Sequence, residues 1–533
     1  MPPTRHRAHE AQTQSDGGAP LPGFRTPALT NADPRSPIRD ALRRWLVPAA
    51  LALGLGARAL AIFFAPQSAY LPDHLSNMGW STYAFENGPW RIYALPANQP
   101  LVARTVDPQT GSRTNSVRLN AHACNYPPLS AYVFWLQGAV WHAFDPDPVT
   151  VQPPPELTRR FGIAGPVTSR VIDTPASRLA NALPGIVFDV FLAWAAAALV
   201  GALRPGRRRS LREPLAFALT LLAPPIFLDS AYWNQADSWV ACLLVWCLVF
   251  LMRGRLVVAG VLYGAGLLTK PQAILLVPVL VYVFCALRFM PGGSWRRALG
   301  LWKTGAAAVA VVAFVAAPFM ISDAHDAASP DGALRWLKRS YLGTIGAERY
   351  DRTTLNAFNI WWLDLLARGL PPRDRAAQVD FFTTLLDPQQ KLLGISKALL
   401  GRLLLAGGIL LAGLLCARRW HWTPESWPVC AFLVMLATFV LPTRVHERYI
   451  YYCIPFLIAL AAHSARWVPP LPALLLVGTL EMTSFRWAGL AELYRPDSTA
   501  RGLSGFLAVL SLLSLLYSYA VLVPRATGAP PDK

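Results

Sequence analysis

The chain has 533 residues, 54% of them hydrophobic and 15% charged, with a formal net charge of +19 and seven cysteines. A mean hydropathy of +0.34 excludes an ordinary soluble domain, and no basic soluble stretch interleaved with aromatics points to nucleic acid. The surplus of Lys and Arg is what the cytoplasmic loops of a polytopic membrane protein carry.

Residues 1–40 are rich in Pro, Arg, Ala and Gly without apolar periodicity, so a disordered cytoplasmic tail is expected there. No signal peptide is expected, because the first apolar run starts late and lacks a small-residue cleavage site. RDALRRW precedes the first span, about 45–65, which puts the N-terminus in the cytoplasm. The apolar run Leu129 to Phe144 is short. If it crossed, RPGRRRSLR after the next span would fall on the wrong face, so a helix lying on the outer surface is expected instead. Further spans follow at about 178–203, 212–228, 237–252, 256–269, 271–288, 299–321, 395–416, 426–441, 449–464, 468–482 and 503–522. The expected fold is an all-α polytopic bundle of about 12 spans. A module over 41–321 includes the outer loop 66–177, a second outer loop covers 322–394, C-terminal spans cover 395–523, and a short cytoplasmic tail covers 524–533. Six cysteines lie in or beside apolar runs and Cys124 in a loop, so no disulfide framework is implied. No internal repeat of the kind that marks many secondary transporters is visible.

On this threading the unusual polar stretches all face outward: PDH at 72–74, CNYPPLSAY at 124–132, LDSAYWNQADS at 228–238, LLTKPQA at 267–273, TLNAFNIWWL at 354–363 and TRVHERY at 443–449. Each has a plain structural account. Pro127 and Pro128 can start a helix, Asp237 and Ser238 can cap the next span, Lys270 can snorkel, NAFNIWW can be an aromatic belt, and Asp73 can be an ordinary loop aspartate. HERY fits such an account least, because belts rarely use an Arg, His, Glu, Arg set. His74, His122 and His142 lack a second ligand at metal spacing, so no zinc site is expected.

Taken in order, Asp73 with Trp80 and ENGPWRIY, then NYPPLSAY, WNQADS, TKPQ, NAFNIW and HERY resemble the GT-C superfamily of membrane glycosyltransferases. The nearest likeness is to the endoplasmic-reticulum glucosyltransferases that extend the lipid-linked oligosaccharide, and to bacterial proteins similar to the second mannosyltransferase of GPI assembly. The resemblance implies a lipid-phosphate sugar donor, surface helices in the first outer loop, and an early acidic base in that loop, whose position Asp73 matches. One departure stands out: where those glucosyltransferases have an aspartate before YPPL, this chain has Asn125, and an amide cannot take a proton.

The implied activity is inverting transfer of a hexose, glucose or mannose, from a polyprenyl- or dolichyl-phosphate to a lipid-linked glycan or other acceptor. Lys270, His446 and Arg448 are the candidates for the donor phosphate. Asn125, Tyr126, Gln235, Asp237, Asn359 and Glu447 are the candidates for substrate contact, with Asp107 and Asp145 as rivals to Asp73. No cofactor or metal is expected, since side chains supply the phosphate contacts. The competing reading is a lipid-linked-sugar flippase or other transporter. An Arg-, Ala- and Pro-rich composition fits a bacterial plasma (inner) membrane; in a eukaryote the endoplasmic reticulum membrane would be expected.

Overall fold

The computed structural model describes residues 37–65, 69–107, 110–120, 122–145, 147–205, 210–326, 331–342, 352–368, 387–483 and 498–523. Helix α1 (Pro37–Phe63) is already under way inside the expected N-terminal tail; the rest of that tail, the tail at 524–533 and residues 206–209 of RPGRRR lie outside the described residues. Between the first and second long helices come α2 (Leu71–Asn87) and α3 (Pro128–Phe144), then the short α4 (Pro155–Phe161). The spanning series continues with α5 (Pro175–Ala202), α6 (Arg212–Leu222), α7 (Pro224–Phe227) running into a π turn at Leu228–Tyr232, and α8 (Asp237–Met252). It goes on through α9 (Leu256–Leu267), α10 (Val277–Phe289), α11 (Trp295–Leu299) and α12 (Trp302–His325). Later helices cover Ile360–Ala367, Lys397–Trp420, Ser426–Val440, Ile454–His463, Pro470–Met482 and Thr499–Ala520.

The protein is an integral membrane protein. Among the described residues six segments are long and apolar enough to cross a membrane, namely Ala41–Phe63, Pro175–Ala202, Pro271–Phe289, Trp295–His325, Lys397–Trp420 and Thr499–Ala520. A seventh would be the pair α6 and α7, bent by 49°. The expected count of about 12 therefore stands unconfirmed: the other expected spans are helices of 10–17 residues, shorter than the ~20 residues that cross a bilayer unaided. For the most enclosed of them burial accounts for the shortness. Ser426–Val440 is apolar all round and buried at every residue, as a central helix must be. By contrast only 22% of the apolar window of α1 is buried, leaving most of its surface for lipid.

The fold is mostly helical, but the stretch between the first and second long helices corrects the all-α expectation in part, since it also holds strands. β1 (Pro100–Val106) pairs antiparallel with β2 (Arg113–Leu119), and parallel with β5 (Val171–Ile172), while β3 (Val149–Val151) pairs with β4 (Val167–Ser169). Leu101, Val102 and Ala103 are buried on the helices beneath, whereas Arg113, Thr114 and Asn115 face outward. Cys124, expected in a loop, is buried there, and all seven cysteines are free.

Helix α3 packs along α2, and the contact demands glycine: a Cβ on Gly138 would lie 2.3 Å from the Ser81 carbonyl oxygen. The N-terminus of α3 rests on the C-terminal end of α9. Leu129 N–H donates to Leu268 O at 2.8 Å and Ser130 Oγ to Thr269 O at 2.6 Å, so unpaired donors of one helix meet unpaired acceptors of another. This junction puts the NYPP segment beside Lys270. If α3 stays on the outer surface, single cysteines at Asp107 and Glu156, both exposed, should react with an impermeant thiol reagent from outside in a Cys-free background. Labelling of Asp107→Cys alone would mean that α3 crosses.

Candidate active site

Pro72 suits the first turn of α2, where its missing N–H leaves no helix bond unmade. Asp73 follows it, with its negative charge at the helix N-terminus. The next residue, His74, points the other way. It is buried, its Nδ1 accepts from Asn181 Nδ2 at 2.9 Å, and its Nε2 lies 3.3 Å from Ser177 Oγ. Burial, helped by the charge of Arg178, pushes its pKa down to about 3, so it is a neutral fastener between α2 and α5.

Opposite Asp73 lies the turn between the π segment and α8. Asn234 adopts φ +60°, a left-handed conformation that asparagine tolerates. Its carbonyl accepts from Asn77 Nδ2 at 3.1 Å, and Gln235 N–H donates to Asp229 O at 2.9 Å. Fixed in this way, Gln235 donates from Nε2 to Asp73 Oδ2 at 2.7 Å. The side chain of Asp73 remains 29% exposed.

Asp237, at the start of α8, is fully enclosed. Lys270 Nζ is 2.6 Å from its Oδ1, and the Tyr452 hydroxyl donates to the same oxygen. The Arg448 guanidinium stands between the two acids: Nε is 3.5 Å from Asp237 Oδ2, and Nη1 is 3.8 Å from Asp73 Oδ2 and 4.0 Å from Glu447 Oε1. Its plane lies 5.7 Å from the centroid of Trp233, a cation–π contact. Among the described residues these ion pairs are its polar contacts, and the buried Nε makes no hydrogen bond. Lys270 also lies 6.0 Å from the Tyr126 ring centroid.

Of the residues expected from sequence, the structure thus brings together Asp73, Tyr126, Gln235, Asp237, Lys270, Glu447 and Arg448. His446 borders the group, its Nδ1 3.7 Å from Glu447. Asn125 is half-buried beside Tyr126. Asn359 stands apart: its Oδ1 caps a helix by accepting from Trp361 N and Trp362 N, and its Nδ2 donates to Phe439 O. The neighbouring tryptophans form no aromatic belt, since Trp361 and Trp362 are 2% and 0% exposed. The rival acids are engaged in structure, Asp107 in its hairpin turn and Asp145 at the end of α3 near Thr174. Two short strands, Thr354–Leu355 and Val445–His446, pair in parallel and hold the segment leading into Asn359 against the HERY loop.

Three acids and one arginine escaped the sequence reading. Arg58 of α1 pairs with Asp189 of α5 at 2.7 Å with both side chains fully enclosed; an ionisable residue inside each apolar run was the available signal. Asp229 is buried with neither carboxylate oxygen hydrogen-bonded among the described residues. Glu481 accepts from Phe358 N–H and so anchors the segment before Asn359.

Removing one partner of a buried pair strands the other charge, at about 3–5 kcal/mol. Asp237→Ala should therefore lower unfolding stability strongly, and Asp237→Ala/Lys270→Met by clearly less than the sum of the single changes. Additive losses in a double-mutant cycle would show that the pair is not coupled.

The profile of the ALG6, ALG8 glycosyltransferase family matches residues 116–329, about two fifths of the chain. No curated protein matches the sequence. Among solved structures, the apo oligosaccharyltransferase of Archaeoglobus fulgidus is similar at 14% identity and TM-score 0.42, covering 92% of this chain and 56% of that one. AglB from the same organism, in complex with an inhibitory peptide and a dolichol-phosphate, is similar at 13% identity and TM-score 0.38, covering 90% and 56%. The chain thus spans little more than half the length of these neighbours. Over the module that carries Asn125, Tyr126, Gln235, Asp237 and Lys270, the chain resembles the ALG6, ALG8 glycosyltransferase family.

Proposed function

We propose that this membrane protein is an inverting glycosyltransferase that moves a hexose, glucose or mannose, from a polyprenyl- or dolichyl-phosphate to a lipid-linked glycan or other acceptor on the extracytoplasmic face. The observation that carries the reading is Arg448, ion-paired between a partly open carboxylate and an enclosed one, with hydrogen-bonding capacity left over. A guanidinium has five N–H donors and an ammonium three. Of the three on Lys270, one is engaged by Asp237. The enclosed acid keeps both cations charged and aimed, and the remaining donors are available to a phosphate.

In the reaction the acceptor hydroxyl oxygen attacks the anomeric carbon, its proton passes to Asp73, and the bond to the phosphate oxygen breaks with its electrons leaving on the phosphate. Asp73 suits the base because its carboxylate is the open one of the group, while Gln235 and Arg448 hold it in orientation. A cation about 4 Å from the developing charge contributes up to ~4 kcal/mol at an effective dielectric of about 20, roughly three decades in rate. Attack opposite the leaving group inverts the anomeric centre.

A flippase is the second reading, and the intramembrane pair Arg58–Asp189 is the observation that favours it. Both side chains are fully enclosed, with Arg58 also donating to Gly54 O and Leu221 O, which suits a strut between helices better than the lining of a path. Incubating the purified protein with radiolabelled polyprenyl-phosphate hexoses and candidate acceptors separates the two, since a transporter moves no label between molecules.

Asp73→Asn should cost about 10²–10⁴ in turnover with donor binding little changed, and Asp107→Asn and Asp145→Asn less than tenfold. A near-wild-type Asp73→Asn enzyme would remove the base. Lys270→Ala and Arg448→Ala should raise the donor KM or lower kcat while leaving acceptor dependence nearly unchanged. Chelation of divalent ions should leave turnover as it was; a loss restored by magnesium or manganese would contradict the side-chain account.

A further inference from the structure

Away from the Arg448 cluster, a cavity of about 790 Å³ opens between α2, the 3-10 turn Pro89–Ala94 and the outer end of α12. Its size is that of a small-molecule site. We propose that this cavity binds a sugar residue of the acceptor glycan, with Trp90 and Tyr83 as stacking platforms and Asp323 as hydrogen-bond acceptor; the inference rests on the glycosyl-transfer reading above.

Asp323 is the observation that calls for a ligand. It lines the cavity, is 3% exposed, and its Oδ2 is buried with no hydrogen-bond partner among the described residues. A buried acceptor left unsatisfied costs about 1–3 kcal/mol, more if charged, which a donor from a ligand would recover. Asp326, also on the wall, is already engaged by Arg335 at 2.7 Å. The remaining acceptor at Asp323 repels a phosphate and welcomes a hydroxyl, while Arg91 offers donors to neutral oxygens. Trp90 is 43% exposed, and with Tyr83 it presents apolar ring faces of the kind that pack on the C–H face of a sugar. A purely apolar chain would leave Asp323 and Arg91 unpaired.

The position suits an acceptor. Tyr93 hydroxyl donates to Tyr126 O at 2.7 Å, and its ring lies 5.7 Å from Phe319, one turn before Asp323. Tyr126 in turn faces Lys270. Tyr93 and Tyr126 thus form a chain of contacts from α12 to Lys270, and the proposal sets a further residue of the acceptor on the cavity side of it.

The test uses saturation-transfer NMR on the full chain in phosphatidylcholine nanodiscs, which avoid sugar-headed detergents, with mannotriose, maltotriose and chitotriose as probes. At least one should receive saturation on its C–H protons. Its dissociation constant should rise at least tenfold in Trp90→Ala and in Asp323→Asn, with Trp90→Phe retaining most of the binding and all variants melting like the parent. No transfer to any probe, equal binding by the variants, or binding that depends on Asp73 and not on Trp90 and Asp323 overturns the proposal. The radiolabel assay reads the parent activity separately: Asp323-dependent sugar binding in a protein that transfers no label keeps the cavity and discards the transfer reading.

Discussion

A single desolvated carboxylate, that of Asp237, organises one end of this bundle. A charge removed from water must be paired, and Asp237 is paired by Lys270, Arg448 and Tyr452, which come from two segments far from it in the chain. The start of α8, the break between α9 and α10 and the HERY loop therefore meet at one point. Everything nearer the surface is arranged from there: Arg448 reaches outward to Asp73, and Gln235, two residues before Asp237, steadies the same acid.

The second constraint is the mismatch between short central helices and long outer ones. Segments such as Ser426–Val440 are enclosed by protein and have no need of full bilayer length. Long peripheral helices such as α1 meet lipid over most of their surface. The Arg58–Asp189 pair joins two of the long helices, α1 and α5, and hydrogen bonds to the Gly54 and Leu221 carbonyls satisfy a guanidinium that would otherwise be costly in such a place.

The helical, membrane-spanning character was legible in the sequence, because apolar run length follows from the bilayer itself. The gathering of YPP, WNQAD, TKP and HERY was legible too, as polar residues in apolar surroundings are expensive and so stand out. The strands between residues 100 and 172 were not: β3, β4 and β5 are brief, and in β1 and β2 Arg104, Arg113 and Arg118 blur the alternation. Nor could spacing tell a helix cap from a substrate contact, so Asn359 read as a site residue although its amide is consumed by Trp361, Trp362 and Phe439. Asp229, inside LDSAYWNQADS, and Glu481 were hidden for the opposite reason, since an acid near a span end looks like a loop residue until its burial is seen.

The neutral fastening of α2 by His74 has a consequence for behaviour in acid. Folded, the imidazole stays uncharged down to about pH 3, while in the unfolded chain it takes a proton below its ordinary value of 6.5. Between those limits the unfolded state binds the extra proton, so falling pH erodes stability without altering the joint itself. A mildly acidic compartment on the side that α2 faces would thus lower the stability of the fold while every folded molecule keeps Asp73 where it was.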